Sequence, residues 1–220
     1  GVPPSSVHRL LQPLVQSGLV ERAHGQAYQI GDELLRMAAL VMQKSDIRSI
    51  ARPILQQMWA QWQETCSICR YRPQGKRALV LDTIQTPNPL RFVLEPFTEI
   101  SLVWGSLGRA ILAFLDECEI EEALNQPGVG PLSQLPAPSK DEMRKELARI
   151  RRQGYALYLN SEIDLAGIAA PVYDMSGEVM GSVGISLPKS RLPARSVKPM
   201  AETVLGAAHE LSRSLGHLSD

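Results

Sequence analysis

Two stretches set small polar residues beside backbone that can approach a ligand closely, the combination an anion site needs. In WGSLGRAILAFL, Trp104 to Leu115, the run Gly105, Ser106, Leu107, Gly108 precedes a predicted short helix, Arg109 to Leu115. The first N–H groups of such a helix, flanked by glycines, favour negative charge. Plain N-capping by Ser106 uses the same residues and stays open as the other reading. In IAAPVYDMSGEVMGSVGISLP, Ile168 to Pro188, side chains alternate along a predicted strand, so Ser182, Gly184 and Ser186 share one side and Val183, Ile185 and Leu187 the other. These small residues, with Ala170, stand where a core strand ordinarily carries large ones. Hydroxyls around a hollow suit a small-molecule pocket. A helix packed tightly on the strand would need the same small residues.

Other chemistries find no complete set. Ser186-Leu187-Pro188-Lys189 fits Ser-x-x-Lys, but Pro188 forbids the helix that would join the two side chains. Gly105 to Gly108 is too short for a Gly-x-Ser-x-Gly elbow, and His8, His24, His209 and His217 lie in segments away from the candidate serines. No enzyme is expected. Cys66-x-x-Cys69 falls on a predicted strand, where residues three apart face opposite ways, and no second pair completes a zinc site, so neither metal nor cofactor is expected. Three cysteines, an odd number, fit a reducing compartment without a disulfide framework.

The elements that must hold these groups follow from pattern. Ile168 to Tyr173 and Val179 to Leu187 read as a hairpin at the centre of a sheet, turned by Asp174, Ser176 and Gly177. TCSICRYRP, KRALVLDTI and LRFVLE, from Thr65 onward, read as further strands. Asp46 to about Gln63, capped by Ser45, keeps the helical period through Ile47, Ile50, Ile54, Met58 and Trp62, with Pro53 bending it slightly or near its start. Glu119 to Asn125 reads as a short helix. Ser139 and Glu142 form a capping box for a helix reaching about Arg152, and Val197 to Leu215 closes the fold as an amphipathic helix.

At the amino-terminal end, Val7, Leu10, Leu11, Leu14 and Val15 make one helical face, capped by Ser5 or Ser6 and ended by Gly18. Ser5, Arg9, Gln12 and Gln16 lie opposite, and Arg and Gln suit base edges and phosphates. Pro13 predicts a kink or an early end there. With the hairpin through His24 and Gly25, this is either the reading half of a winged helix-turn-helix or an ordinary solvated helix. Asp32 to Lys44 is apolar nearly all round and should be buried against a partner. With 220 residues, 44% hydrophobic and 21% charged, the chain can build one or two cores. Its net charge of zero means any nucleic-acid surface must be local. No apolar run approaches a membrane span, and a cytoplasmic location is expected.

The run SSVHRLLQPLVQSGLVERAHGQAYQIG resembles the recognition helix and wing of the IclR (isocitrate lyase regulator) family of bacterial transcription regulators, with its Ser-x-x-His/Tyr-Arg-Leu-Leu-x-x-Leu, Gly-Leu-Val and Tyr-x-Leu-Gly. Ala51 to Leu55 is similar to the family's Ala-Arg-Pro-x-Leu. The WGSLGRAILA segment resembles its Thr-Ala-x-Gly-Lys-Ala-x-Leu-Ala, departing at Gly105, Ser106 and Arg109. GYALYLNSEIDLAGIAAPV resembles its Gly-Tyr-Ala to Ile-Ala-Ala-Pro-Val stretch, with Asp164 near a family glycine and Gly167 near a frequent cysteine.

The resemblance implies an α+β chain. Residues 1–31 would be a partial winged helix-turn-helix lacking its first helices, 32–44 a linker helix, and 45–220 an effector-binding domain with a GAF- or profilin-like antiparallel sheet flanked by helices. DNA contacts would come from Ser5, Ser6, His8, Arg9, Gln12, Arg22 and His24. Effector contacts would come from Gly105, Ser106, Leu107, Gly108, Asp164, Gly167, Ser182, Gly184 and Ser186. The implied protein is a homodimer or homotetramer that binds a double-stranded DNA operator under control of a small carboxylic acid, aromatic acids included, and regulates a catabolic pathway. A sensor domain acting only through protein partners is the alternative, and a hydrolase a more distant one.

Overall fold

Helix α1 (Pro4–Gln16) begins on a proline, whose missing N–H is not needed in a first turn. Ser5 and Ser6 therefore lie within the helix, past the cap position. The predicted break at Pro13 is absent: α1 runs through it to Gln16. Pro13 is exposed, so water can reach the Arg9 carbonyl that the ring deprives of a donor. Gly18, at φ +74°, ends the helix while Leu19 N–H donates back to the Leu14 carbonyl at 3.0 Å. Strands β1 (Val20–Arg22) and β2 (Tyr28–Ile30) then pair antiparallel, Val20 opposite Ile30. The computed structural model describes residues 4–23, 27–37, 46–126, 128, 130–131 and 133–217. Of the predicted linker, residues 32–37 are helical and are labelled α2, with Leu34, Leu35 and Met37 exposed. Residues 38–44, Ser45 and His24 lie outside the described residues.

The chain divides into two units, Gly1–Asp46 and Ile47–Asp220. The second is built on a six-stranded sheet of β3 (Thr65–Arg72), β4 (Arg77–Ile84), β5 (Glu99–Ser101), β6 (Ala156–Asn160), β7 (Leu165–Tyr173) and β8 (Val179–Pro188). The order is β5-β4-β3-β8-β7-β6 with every neighbouring pair antiparallel, so β8 sits in the middle. Helices α3 (Asp46–Trp62) and α7 (Ala194–Ser214) cover one face, packing on Ile168, Ala170, Val172, Val183, Ile185 and Leu187. Helices α4 (Gly105–Leu112), α5 (Glu117–Asn125) and α6 (Lys140–Gln153) cover the other, over Cys69, Val80 and Ala169. Ala170 therefore belongs to the filled face and not with Ser182. Cys66 and Cys69 fall in the two different cores, as alternation requires. The structure is an α+β domain, an antiparallel sheet flanked by helices.

The β7–β8 turn forms as expected, with Gly177 at φ +83° and the Asp174 carboxylate accepting from Ser176 N–H at 2.8 Å. The capping box of α6 also forms: Ser139 Oγ accepts from Glu142 N–H at 3.3 Å, and the Glu142 carboxylate from Ser139 N–H at 2.9 Å. The predicted strand LRFVLE does not form. Residues 91–95 are irregular, and the edge strand is the three-residue β5 further on. Pro87, Pro89 and Pro96 bring no N–H to a ladder, and Phe97 turns at φ +67°. Pairing with β4 resumes only where Val80 N–H donates to the Thr98 carbonyl at 2.9 Å.

Candidate functional site

The β6, β7 and β8 registers place Tyr158 opposite Gly167 and Gly167 opposite Ser186, a row running across the sheet. Glycine at the centre of that row leaves a gap, and α4 fills part of it: a Cβ at Gly167 would lie 2.4 Å from Ser106 Oγ. Helix α4 starts at Gly105, four residues earlier than the sequence suggests, on a backbone turned by Gly105 at φ +82°. Trp104 is its N-cap and makes no side-chain capping bond, so Ser106 is not the cap. The glycine turn explains the early start, since it lets the chain leave β5 and enter the helix within a few residues.

Beside this helix start lies a cavity of about 530 Å³. Gly105, Ser106, Leu107, Gly167 and Ser186 line it, together with Arg77, Trp104 and Tyr158 and the irregular segment from Arg91 to Leu94. Ser106 is only 4% exposed, yet its hydroxyl has no hydrogen-bond partner among the described residues. Among the described residues no fully buried side-chain oxygen or nitrogen lacks a partner, so the Ser106 hydroxyl opens onto the cavity and is available to a ligand there. The charges at the wall are Arg77 and Arg91 against Glu99, and Glu99 is already held by Arg72 at 2.8 Å. Uncapped helix N–H groups, a free hydroxyl and two cations make a surface suited to a carboxylate in otherwise apolar surroundings.

Four predicted residues stand elsewhere. Ser182 is fully buried and its hydroxyl donates to the Leu107 carbonyl at 2.9 Å, tying β8 to α4. A Cβ at Gly184 would lie 2.5 Å from the Ile168 carbonyl oxygen, and one at Gly108 would lie 2.1 Å from that of Ser101. For Ser182, Gly184 and Gly108 the small side chain thus serves close packing, the alternative reading of the stripe. Asp164, at φ +49°, turns its carboxylate to Ser190, accepting from its N–H and its hydroxyl at 2.8 Å each. Those bonds hold the carboxyl below the usual carboxylate range. Asp164 braces the turn after β8 and does not line the cavity.

Sequence reasoning missed Arg77, the Arg91 to Leu94 wall, Trp104 and Tyr158. Trp104 carried a signal, an aromatic ring adjoining the glycine at which the helix starts. The Arg91 to Leu94 wall carried none, because an apolar run reads as strand whichever way it folds. Arg109, one of the three departures from the resembled motif, faces a different cavity. Its Nε donates to the Val103 carbonyl at 2.8 Å, and its guanidinium lies over the Tyr158 ring, 4.9 Å from the centroid. Burial pulls its pKa below the usual arginine range, against the opposing charge of Glu146.

In the first unit, Arg22 Nη2 and His8 Nε2 come within 3.2 Å, joining α1 to β1. Arg9 and Gln12 are exposed on α1, and Ser6 is partly buried. These groups form a candidate nucleic-acid face made of one helix and a short hairpin.

Comparison with known proteins gives two family matches. The model described as the bacterial transcriptional regulator IclR C-terminal domain covers residues 39–213, and the IclR helix-turn-helix domain covers residues 1–24. The HTH-type transcriptional regulator BhcR of Paracoccus denitrificans is 28% identical over 221 residues, 99% of this chain and 78% of that protein. Among solved structures, IclR of Thermotoga maritima aligns with a TM-score of 0.74 at 23% identity, covering 97% of this chain and 86% of that one. An IclR homologue from Microbacterium hydrocarbonoxydans complexed with 4-hydroxybenzoate aligns with a TM-score of 0.77 at 22% identity and the same coverage, 97% and 86%.

Proposed function

Because the chain belongs to the IclR family of bacterial transcriptional regulators, whose helix-turn-helix and effector-binding models it matches, we propose that it senses a small organic acid and controls a catabolic operon. Regulators of this kind bind DNA and an effector, and their named relatives are regulators and not enzymes. The reading places the acid's carboxylate against the N-terminus of α4 and the Ser106 hydroxyl, with its apolar body among Leu107, Trp104 and the Arg91 to Leu94 wall. The partly buried, unpartnered Ser106 hydroxyl in a cavity edged by two arginines carries this reading. The Microbacterium homologue's complex with 4-hydroxybenzoate supports the ligand class.

Arg9, Gln12, His8 and Arg22 would meet the operator, and Ser5, Ser6 and His24 are the further contacts that the family resemblance implies. The exposed apolar side chains of α2, with Leu35 62% exposed, support self-association into a dimer or tetramer through that helix in the cytoplasm. Among the described residues no helix is long and apolar enough to cross a membrane.

A thermal-shift screen of small carboxylic acids tests the site. At least one acid should raise the melting temperature, and Ser106→Val should weaken its binding about tenfold while leaving DNA affinity without effector unchanged. An acid whose affinity is indifferent to Ser106, or a screen in which no carboxylate stabilises the protein, would overturn the placement.

A further inference from the structure

A second cavity, of about 500 Å³, opens where α4, α6 and β6 meet. It shares Trp104 and Tyr158 with the first and is otherwise separate. Among the described residues its one cation is Arg109. That guanidinium is fixed in place by the Nε bond to Val103 and by the Tyr158 ring. Its two terminal nitrogens have no hydrogen-bond or ion-pair partner among the described residues.

The two carboxylates that line the same hollow have hydrogen-bonded partners of their own. Glu146 pairs with Arg149 at 2.8 Å, and Glu142 closes the capping box with Ser139. The side chain is thus an oriented cation whose terminal nitrogens make no direct ion pair, with Glu146 acting on it only through space, on the wall of a hollow that Pro138, Met143 and Leu159 also line.

We propose that this hollow is a second anion site, taking a monocarboxylate that carries a flat apolar group. Two parallel N–H donors on the outer edge of a guanidinium match the two oxygens of a carboxylate. The indole of Trp104 and the Met143 and Leu159 side chains provide apolar surface for the rest of the ligand. Glu142 and Glu146 also line the hollow and oppose negative charge away from Arg109, so a ligand carrying more than one carboxylate is disfavoured.

The probe is 4-fluorobenzoate, followed by fluorine NMR in a Ser106→Val, Ser186→Leu background that removes the hydroxyls of the first cavity and narrows it. Saturable binding should persist there, and Arg109→Met should weaken it about tenfold or more, with Arg109→Lys intermediate. The neutral 4-fluorobenzamide should be indifferent to position 109. In the unsubstituted protein the Arg109 Nε–H resonance should shift with 4-fluorobenzoate concentration, a readout that does not depend on any variant folding.

Binding that vanishes in the Ser106→Val, Ser186→Leu background, with an unmoved Arg109 resonance, would overturn this site and leave the first cavity as the sensor. Binding that persists but ignores Arg109 would overturn it equally. Loss of the Ser106-dependent response alone would refute only the first cavity.

Discussion

At Gly108 a single methyl group separates a folded contact from a clash. A Cβ there would sit 2.1 Å from the Ser101 carbonyl oxygen, and that oxygen belongs to backbone that cannot swing aside. Gly108→Ala should therefore cost about 1–3 kcal/mol or more, as overpacking of a tight contact does. Gly206, mid-helix in α7 with nothing near its missing Cβ, is the control. Gly206→Ala should raise stability by about 0.4–1 kcal/mol, since alanine restricts the unfolded chain. Chemical denaturation of both variants checks the opposite signs. Thiol reactivity reads burial in a second way. Burial and the nearby Glu64 charge push the Cys66 thiol up to about 12, burial alone pushes Cys69 further, and Cys118 is exposed. At pH 8 the native protein should titrate rapidly for one thiol and the denatured protein for all three. Fast reaction of two or more in the native state would show that the sheet opens. The serine stripe shows how far single residues were legible: alternation correctly put Ser182 and Ser186 on one side of β8, but it cannot say what lies opposite. Helix α4 lies over Ser182, and the hollow lies over Ser186.

Elements with local signals were legible and those fixed by distant partners were not. The α6 capping box and the β7–β8 turn needed only residues a few positions apart. The Arg91 to Leu94 wall needed a contact from more than ninety residues further on. Arg191, in the turn after β8, donates Nη1 to the Leu90 carbonyl at 2.9 Å and grips the Glu64 carboxylate at 2.6 and 2.7 Å. The same turn is braced by Asp164, which neighbours cavity residues Ile163 and Leu165. One short turn thus holds two walls of the cavity to the end of α3. Arg191→Met would strand the Glu64 carboxylate, whose side chain is 8% exposed. The expected loss is about 2–4 kcal/mol, on the low side for a buried pair because Arg191 itself is 30% exposed. Glu64→Gln added to Arg191→Met should recover part of that loss, since no unpaired charge remains. Equal stability of wild type and Arg191→Met in urea denaturation would mean the pair is solvated and the turn holds nothing.

For the whole molecule, a net charge of zero confines any grip on DNA to a few side chains, and that makes the grip measurable. If Arg9 contacts a phosphate, Arg9→Ala should weaken binding to all sequences alike and reduce the slope of log affinity against log salt by about one. A contact to a base edge would instead cost about 1–3 kcal/mol on the operator and little on unrelated DNA. Titrations at several salt concentrations on operator and random duplex separate the two, and an unchanged affinity on both would remove Arg9 from the interface. An effector acts on this grip only as far as it binds the two arrangements of the protein unequally. Coupling of about 1–3 kcal/mol, or 5- to 150-fold in operator affinity, is typical. Because linkage is reciprocal, saturating operator should change effector affinity by the same factor. Arg9→Ala should then lower operator affinity with the coupling factor intact, whereas Ser106→Val should leave intrinsic operator affinity and raise the acid concentration needed to change it. Should Arg9→Ala abolish the coupling factor as well, reading and sensing would not be the separable functions that two units of the chain imply.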